Sequence, residues 1–429
     1  QKSMLASGGG AAGNLDLVAT LDNRVTGGAD ATQTTAANQP IAHVPYGDGH
    51  LFTSGVSGNY ASTPSTTDYD DLASWTAEVE ANLPQWSGAA DAQTLMGKSY
   101  SWWIRLQNDG KILVVNRNAA NSQYNASSSV SAGITDGTWA KIRVTRDGYD
   151  FKFYKDTGSG WVQVGTTQTI AHNTNRNNTY AVEVGAHING TQKLARGSFR
   201  SAKFWDSATP DSSDPILDID FSDAEHGASS FACSTGQTIT INTSGNDPAT
   251  IVRRPFLRFD GATDFLSGTF NESNTTGGYM FVVYSVNGDG GEESGRVFVM
   301  NSSGEQGYNN VRSFLWSLRK ANDNNIAFYY LSLWRGIHTL GFDPVDGTFL
   351  HEVKAVDGSQ FSKVNNGDIQ TNSQDLSALS SEEFNIGGSP SGTANPAIDL
   401  EALYLFDHTL TDAAATNVRD HLNAKSSIY

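Results

Sequence analysis

The sequence predicts an all-β protein built from two tandem antiparallel β-sandwiches, with a flexible N-terminal arm and a short C-terminal helix. Two observations support this prediction. A strand–turn–strand pattern occurs twice, and the composition is rich in aromatic residues for strands and glycines for turns, with 20 Phe, 15 Tyr, 9 Trp and 43 Gly. At 429 residues the chain is long enough for two domains, each with its own core.

The repeated hairpin is the strongest evidence for a duplication. Residues 99–115 (SYSWWIRLQNDGKILVV) and 313–329 (SFLWSLRKANDNNIAFY) align without a gap. A period of about 200 residues is too long for a solenoid and fits a duplicated domain. We therefore expect Trp102 and Trp316 to occupy equivalent inward positions in two superposable sandwiches. The other aligned pairs include Tyr100 with Phe314, Ile104 with Leu318, Arg105 with Arg319 and Ile112 with Ile326.

The segments that enter and leave each copy also recur. Residues 34–55 resemble residues 241–261, and residues 182–206 resemble residues 384–407. From these repeats we predict a first sandwich at 16–235 and a second at 236–429, each contiguous in sequence. The corresponding positions include Pro40 and Pro248, Gly55 and Gly261, and Gly185 and Gly387.

The two ends of the chain differ from the repeats. Residues 1–15 begin QKSMLASGGGAAGN and show no periodicity, which predicts a flexible N-terminal arm. At the other end, Thr411 and Asp412 are suited to begin a helix. Ala415, Val418 and Leu422 follow at helical spacing, so we expect this short helix to pack on the second sandwich.

Charge and cysteine content exclude several classes of function. The net charge is −17, which repels phosphate backbones and anionic membranes, so we predict no nucleic-acid partner. No run of about 18 apolar residues is present, so we predict no membrane insertion. The one cysteine, Cys233, excludes an intrachain disulfide and a cysteine zinc site, a situation common in large secreted bacterial and viral proteins.

Several segments together resemble a known family. The stretch Pro248–Gly261, the glycine segment 386–392, the strand ALYLFDHTLTD at 402–412 and the final helix resemble concanavalin A-like, laminin-G-like jelly-roll domains. Residues 47–221, with GVSGNYASTP and WAKIRVTRDG, look like the version found in bacteriophage structural proteins. The resemblance implies a two-sheet antiparallel sandwich, frequent carbohydrate or protein binding, and in some members a calcium site at the rim.

Two glutamates form the best candidate catalytic pair. Glu78 and Glu80 lie two residues apart on a predicted strand, so their carboxylates share one face roughly 6.5–7 Å apart at the backbone, within the range of glycosidase pairs. Some glucanases of the resembled fold carry Glu-x-Asp-x-Glu at this place, whereas the third position here is Asn82. We therefore predict two solvated carboxylates, no catalytic residue and no enzyme.

A candidate binding site lies on the repeated hairpin. Alternation places Trp102, Ile104 and Leu106 toward the core and leaves Trp103, Arg105 and Gln107 on the other face. We take these last three as the candidate binding residues. Trp103 has three alternatives at this stage: it stacks on a sugar ring, it lies in an interface with another subunit, or it is buried under a loop.

The acidic loop NGDGGEE is the one candidate metal site. Asp289, Glu292 and Glu293 follow Asn287 closely, and clustered oxygen ligands suit Ca²⁺, although the spacing matches no EF-hand. We predict no resident cofactor, with calcium as the one candidate ion.

These features together favour a non-enzymatic structural protein of a virion surface, as a fibre, decoration or receptor-contacting module. The expected partners are other virion proteins, further copies of the chain, and host-surface carbohydrate, in an extracellular setting on the particle. Two alternatives stay open: a secreted polysaccharide-degrading enzyme that uses Glu78 and Glu80, and a lectin-like module of an adhesin.

Overall fold

The computed structural model divides the chain into two compact units. Pro45–Arg254 form one unit, which we call the first sandwich. Gln1–Val44 together with Pro255–Tyr429 form the other, which we call the second sandwich. The residues that the structure describes are 4–6, 18–21, 31–36, 39–43, 49–172, 174–210, 214–245, 247–253, 256–270, 277–288, 294–301, 314–319, 325–330, 333–339, 348–356, 360–365, 367, 369–372, 382–387, 397–406 and 410–426.

The described strands all pair antiparallel. Those that precede the first sandwich are β1 (Met4–Ala6), β2 (Val18–Leu21), β3 (Ala31–Thr32) and β4 (Ile41–His43). Those of the first sandwich are β5 (His50–Ser54), β6 (Tyr60–Ser62), β7 (Ser74–Asn82), β8 (Gln93–Lys98), β9 (Trp102–Leu106), β10 (Ile112–Arg117), β11 (Gln123–Ser127), β12 (Trp139–Asp147), β13 (Asp150–Asp156), β14 (Val162–Gln163), β15 (Gln168–Thr169), β16 (Val182–Val184), β17 (Arg196–Trp205), β18 (Leu217–Asp220), β19 (Ser230–Ala232), β20 (Thr238–Asn242) and β21 (Thr250–Val252), with a 3-10 turn at Phe221–Asp223.

The second sandwich continues after residue 255. Its further elements are β22 (Phe256–Asp260), β23 (Leu266–Phe270), β24 (Gly277–Gly288), β25 (Ser294–Asn301), β26 (Phe314–Arg319), β27 (Asn325–Tyr330), β28 (Leu333–Thr339), β29 (Thr348–Val356), β30 (Gln360–Val364), β31 (Gln370–Asn372), β32 (Glu382–Ile386), β33 (Ala397–Phe406) and the helix α1 (Asp412–Ser426).

The first sandwich encloses one apolar core between two sheets. One sheet has the order β11-β10-β9-β8-β16-β6-β20-β19, and the other has β14-β13-β12-β7-β17-β5-β21, with β15 on β13 and β18 on β17. Trp102 from the first sheet packs against Phe204 and Trp75 from the second, with ring centroids 4.7 and 5.4 Å away. The alternation of apolar and polar residues along β12 matches its alternation of buried and more exposed positions, so one face of this sheet points into the core.

The second sandwich repeats this strand order. Its sheets run β1-β2-β3-β23-β32-β25-β26-β27-β28 and β31-β30-β29-β24-β33-β22-β4. Trp102 on β9 and Trp316 on β26 therefore lie on corresponding strands, as the sequence repeat predicts. A repeated glycine ends corresponding strands in the left-handed backbone region, with φ +86° at Gly185 and +77° at Gly387. A Cβ on Gly387 would overlap the ring of Phe259. The predicted all-β sandwich class is confirmed.

The predicted boundaries at residues 16–235 and 236–429 differ from the observed division. We call residues 18–43 (β2–β4) the first leader and residues 230–252 (β19–β21) the second leader. The second leader pairs with β5 and β6, so it belongs to the first sandwich, and the first leader pairs with β22 and β23 of the second sandwich. The hydrogen bonds of these sheet edges, which local sequence does not reveal, set the boundary.

The two ends of the chain give opposite outcomes. The prediction of a flexible arm over residues 1–15 is wrong at Met4–Ala6, because this segment pairs with β2 as a strand. The C-terminal helix is confirmed, with Ala415 and Leu422 buried against Tyr279 and Phe281. Within the described part of the chain, no helix is long and apolar enough to cross a membrane.

Candidate functional site

The candidate site lies on the outer face of the eight-stranded sheet of the first sandwich. Strand alternation on β9 turns Trp102 and Ile104 into the core and leaves Trp103 and Arg105 on the outer face, as predicted. The neighbouring strand β10 pairs Val115 with Trp103, and its last residue, Arg117, falls on the same face two positions further on. Two arginines thus lie around one tryptophan.

Trp103 is not the exposed sugar platform that we considered. Its side chain is only 2% exposed, because the segment after β16 brings the ring of His187 to within 4.1 Å of it. Of the three alternatives, burial under a loop describes its placement. The indole Nε1 is buried without a hydrogen-bond partner among the described residues, so Trp103 serves as the floor of the site.

Arg105 stacks on this tryptophan and has a buried hydrogen-bond donor without a partner among the described residues. Its guanidinium lies 5.1 Å from the centre of the Trp103 ring, a cation–π contact, and its buried Nε has no hydrogen-bond partner in the described part of the chain. Burial lowers the pKa of Arg105 to about 10, with nearby Arg117 acting in the same direction and Asp91 opposing it. The group is still a cation at neutral pH.

Arg117 and Tyr100 extend the site along the sheet edge. The Arg117 guanidinium lies 5.6 Å from the Trp103 ring and 5.4 Å from the Tyr100 ring. It donates from Nη1 to Oδ1 of Asn121 at 3.0 Å, which holds it across the hairpin. The Tyr100 ring in turn lies 5.3 Å from that of Tyr180, which is 37% exposed, so an accessible aromatic pair adjoins the arginines.

The turn that presents Tyr100 is strained and firmly anchored. Tyr100 has a φ of +59°, a region that costs free energy for a residue with a bulky side chain. Immediately before it, Lys98 is fully buried and donates to Asp70 and to the carbonyl of Thr66. Asn178 donates to the carbonyl of Ser99 at 2.9 Å. These buried bonds hold the turn in its unusual conformation.

His187 forms the roof of the buried tryptophan and stays neutral. Burial lowers the pKa of His187 to about 3, with the charges of Arg105 and Arg117 contributing to this shift. Its loop is held by Glu183, which accepts hydrogen bonds from the backbone N–H of Asn189 at 2.7 Å and from the Ser99 hydroxyl. The site therefore carries the positive charge of its arginines without a contribution from the imidazole.

The rim of the site is open. A depression of about 440 Å³ is lined by Asp91, Gln192 and Lys193 among others, and Asp91 also attracts Arg105. Lys193 and Asp91 form an exposed ion pair across the depression. An exposed pair of this kind contributes little to stability and is readily rearranged by a ligand.

Gln107 lies at the predicted place, but its side chain already accepts a hydrogen bond from within the protein. Its Oε1 accepts a hydrogen bond from the hydroxyl of Ser127 at 2.9 Å. The neighbouring polar residues Gln123 and Asn125 of β11 are exposed and bonded to each other at 3.0 Å. The polar side of the site is thus a short network that offers further donors and acceptors to solvent.

Three residues of this site were missing from the sequence-based prediction. Arg117 and Tyr100 flank the predicted residues in sequence, and their spacing on paired strands could have indicated them. His187 lies far along the chain and comes over Trp103 only through the pairing of β16 with β8. Local periodicity contains no signal for that contact.

Glu78 and Glu80 each lie opposite a basic residue of the neighbouring strand β12. The prediction of two solvated carboxylates is wrong for Glu78, which is buried and accepts a hydrogen bond from Arg143 Nε at 3.0 Å. The Arg143 guanidinium lies 4.1 Å from the centre of the Trp161 ring. Burial raises the pKa of the half-buried Glu80 carboxyl, with Glu78 and Asp220 adding to the effect and Lys141 and Arg200 opposing it. Paired strands place opposite charges beside both glutamates.

The predicted metal residues Asp289, Glu292 and Glu293 lie outside the described residues. Within the described ranges, no group of three or more His, Cys, Asp or Glu side chains is arranged to hold a metal ion. The calcium site therefore stays a prediction from sequence.

Acid is expected to destabilise the first sandwich through two buried histidines. Burial lowers the pKa of both His187 and His50 to about 3, whereas the unfolded chain binds these protons below about pH 6.5. The stabilisation is complete above pH 6.5 and falls by about 1.4 kcal/mol per histidine for each pH unit below it. Burial raises the pKa of Glu80 and Glu183, so the folded protein binds these two protons at higher pH than the unfolded chain does. This difference partly offsets the histidine effect as the pH falls toward the ordinary pKa of a glutamate.

Urea unfolding at pH 7, 6 and 5 measures this dependence. The variant His187→Gln should show a shallower loss of unfolding free energy than the unmodified protein. Equal stability at pH 7 and pH 5 would contradict the prediction.

The chain resembles solved structures of laminin and carbohydrate-binding domains only at low similarity. No family model matches it, and no curated protein matches its sequence at a significant level. The LG1-3 region of the laminin alpha2 chain is similar at a TM-score of 0.33 and 10% identity, over 84% of this chain and 63% of that one. Domains LG4-5 of the mouse laminin alpha1 chain give 0.31 and 11%, over 86% and 94%. A structure from Bacteroides ovatus, described as carbohydrate binding, gives 0.35 and 13%, over 56% and 70%.

Proposed function

We propose that the protein is a non-enzymatic binding module that holds an acidic carbohydrate on the outer face of the eight-stranded sheet of its first sandwich. The observation that supports this most directly is Arg105. Its guanidinium is half-buried on Trp103, and its Nε has no acceptor in the described part of the chain. A guanidinium held on an indole in this way is pre-organised to pair with an anionic group.

The chemistry of the site selects a carboxylate or sulfate group. A guanidinium presents a planar set of donors that pairs with such groups through two parallel hydrogen bonds. The Arg117 guanidinium lies 5.6 Å from the centre of the same indole ring, so both arginines border one site. Because the net charge of −17 repels anions at long range, preference for an acidic ligand would depend on short-range contacts with these two arginines.

The aromatic pair next to the arginines fits the rest of a sugar. Tyr100 and Tyr180 offer ring faces and hydroxyl groups at the edge of the site, and a pyranose ring packs its apolar face against such rings. The hydrogen-bonded pair Gln107 and Ser127 lies at the other end of β9, two residues beyond Arg105. The charged group and the sugar ring would therefore be recognised by different side chains.

We propose a virion surface as the location of this binding module. A virion surface, with the protein as a fibre, decoration or receptor-contacting part, fits a duplicated sandwich with an anionic surface that binds host-surface carbohydrate. An adhesin module would use the same site. A polysaccharide-degrading enzyme is less favoured, because Glu78 is occupied by Arg143 and has little freedom to act on a substrate.

Replacing Arg105 is expected to weaken binding of acidic carbohydrate selectively. The change Arg105→Gln removes the charge and its paired hydrogen bonds, so affinity for an oligouronate or a sulfated oligosaccharide should fall by about 10-fold to 100-fold. Isothermal titration calorimetry with these ligands and with a neutral glucan measures the difference. Lys152→Gln, at an exposed position on the other sheet, is the control with the same change in charge and should bind normally.

Two results would contradict the proposal. Equal affinity of the unmodified protein for neutral and acidic oligosaccharides would remove the role of the arginines. Release of reducing ends from the same polysaccharides, abolished by Glu78→Gln, would favour the enzyme instead.

A further inference from the structure

The two leaders are exchanged between the sandwiches. In sequence, the first leader directly precedes β5, the first strand of one repeat, and the second leader directly precedes β22, the first strand of the other. In the structure, each leader pairs with the repeat that it does not precede. The predicted contiguous sandwiches would have each leader on the repeat that follows it.

The registers show that both leaders occupy the same place. In the first sandwich, Ile251 pairs with Leu51. In the second, Ala42 pairs with Leu257. The sequence repeat aligns β5 with β22, so these two pairs are counterparts. The neighbouring sheet agrees, with Thr240 opposite Ser62 in one copy and Thr32 opposite Ser267 in the other.

We propose that the first leader of one copy of this chain also completes the second sandwich of another copy. The partner is thus a second molecule of the same protein, and the interface is the edge formed by β22 and β23. The pairing across that edge would be identical within a chain and between chains, so exchange adds no new contacts and loses none. In sequence, the first leader ends at residue 43 and β5 begins at His50.

The second sandwich is suited to take its leader from elsewhere. Its other described strands begin at Phe256, so the whole first sandwich separates them in sequence from the leader that completes them. Its side-chain hydrogen bonds to the leader include two of 3.4 Å, from Gln33 Nε2 to the carbonyl of Phe265 and from Thr32 Oγ1 to that of Ser267, and one of 3.2 Å, from Ser267 Oγ to the carbonyl of Thr32. Long bonds of this kind are the weaker ones.

The second leader follows the other strands of its own sandwich directly in sequence and forms a natural control. Buried Asn59 donates to the carbonyls of Ser244 and Asp247 and accepts from the N–H groups of Ser244 and Ala249, at 2.7–3.2 Å. This one side chain closes the turn between β20 and β21 onto the first sandwich. We therefore expect exchange between copies at the first leader and little at the second.

The experiment traps the exchanged pair with a disulfide between two chains. Two full-length variants in a Cys233→Ala background carry one new cysteine each, Ala42→Cys in a tagged chain and Leu257→Cys in an untagged chain. Residues directly opposite on antiparallel strands are close enough for a disulfide. The chains are unfolded together, refolded at low and high concentration and oxidised, and the products are separated on a non-reducing gel.

A covalent heterodimer that increases with protein concentration is the expected result. Competition from the leader of the same chain, which has a high effective concentration, should keep its yield low in dilute protein. The matched control pairs Leu51→Cys with Ile251→Cys, at the counterpart positions of the first sandwich, and should give several-fold less heterodimer. Heterodimer at neither concentration, or equal yield from both pairs, would overturn the proposal.

A second measurement uses the unmodified protein, so its result does not depend on whether the cysteine variants fold. The unmodified protein, refolded at the same high concentration and then diluted, should keep a dimeric or larger species in analytical ultracentrifugation, because an exchanged dimer separates only by unfolding. A monomer at every concentration would also overturn the proposal. Binding of acidic carbohydrate does not enter either readout, so the two proposals fail independently.

Discussion

Removing residues 1–44 is expected to unfold the second sandwich and leave the first sandwich folded. The deletion takes away β3 and β4, which exposes the edges of β22 and β23. It also removes His43, a fully buried residue whose ring stacks on Phe256 at 4.5 Å. We expect the loss to exceed the ~5 kcal/mol that holds a marginal domain together. The first sandwich is contiguous from residue 45 to residue 254 and keeps every strand.

Limited proteolysis with mass spectrometry measures this result. A resistant fragment close to residues 45–254 should survive, while residues 255–429 are degraded. The control is a deletion of residues 1–15, which removes only the edge strand β1 and should leave both sandwiches resistant. Protection of residues 255–429 in the larger deletion would show that the leader is dispensable.

Trp102→Ala is expected to destabilise the first sandwich by about 3–5 kcal/mol, the usual cost of truncating a buried tryptophan. The Trp102 side chain is fully buried, packs on Phe204 and Trp75, and donates from Nε1 to the carbonyl of Tyr69 at 3.1 Å. The cavity would lie at the centre of the core, where the surrounding rings cannot collapse without leaving their own contacts. The second sandwich should keep its stability.

Differential scanning calorimetry with the two transitions resolved measures this effect. The control is Trp161→Ala, a partly exposed residue on the outer face, whose loss should cost less. The sequence repeat predicts the reciprocal result for Trp316→Ala, with the second sandwich destabilised and the first unchanged. A loss of stability in both transitions for either variant would mean that the two halves do not fold as separate units.

The strand assignments were predictable because the signal is local. Along β12 and β9, apolar and polar residues alternate with the period of a strand, and the core accepts the apolar set, from Ile142 and Val144 to Trp102 and Ile104. The helix after Thr411 was predictable for the same reason, since Ala415 and Leu422 fall on one face. The sequence repeat also predicted that Trp102 and Trp316 lie on corresponding strands, and β9 and β26 have corresponding neighbours in their sheets.

The exchange of leaders and the full candidate site were not predictable in this way. Both sheet edges that could receive a leader have the same register and similar sequences, so nothing within either leader distinguishes its own repeat from the other. The burial of Trp103 depends on His187, which a separate strand brings over it. The same alternation that correctly placed Trp103 away from the core therefore could not show that it is covered.

The exchanged first leader also imposes an order on synthesis of the chain. Residues 18–43 leave the ribosome well before β22 and β23, the strands that receive them, because these follow the complete first sandwich. At a rate of about 5–20 residues per second, translation of residues 45–254 takes roughly 10–40 s. During that interval β3 and β4 lack the strands β23 and β22 with which they pair in the folded protein, while neighbouring nascent chains on the same messenger carry an identical leader. The first sandwich closes once β21 has emerged, whereas the second can close only when β33 has been made.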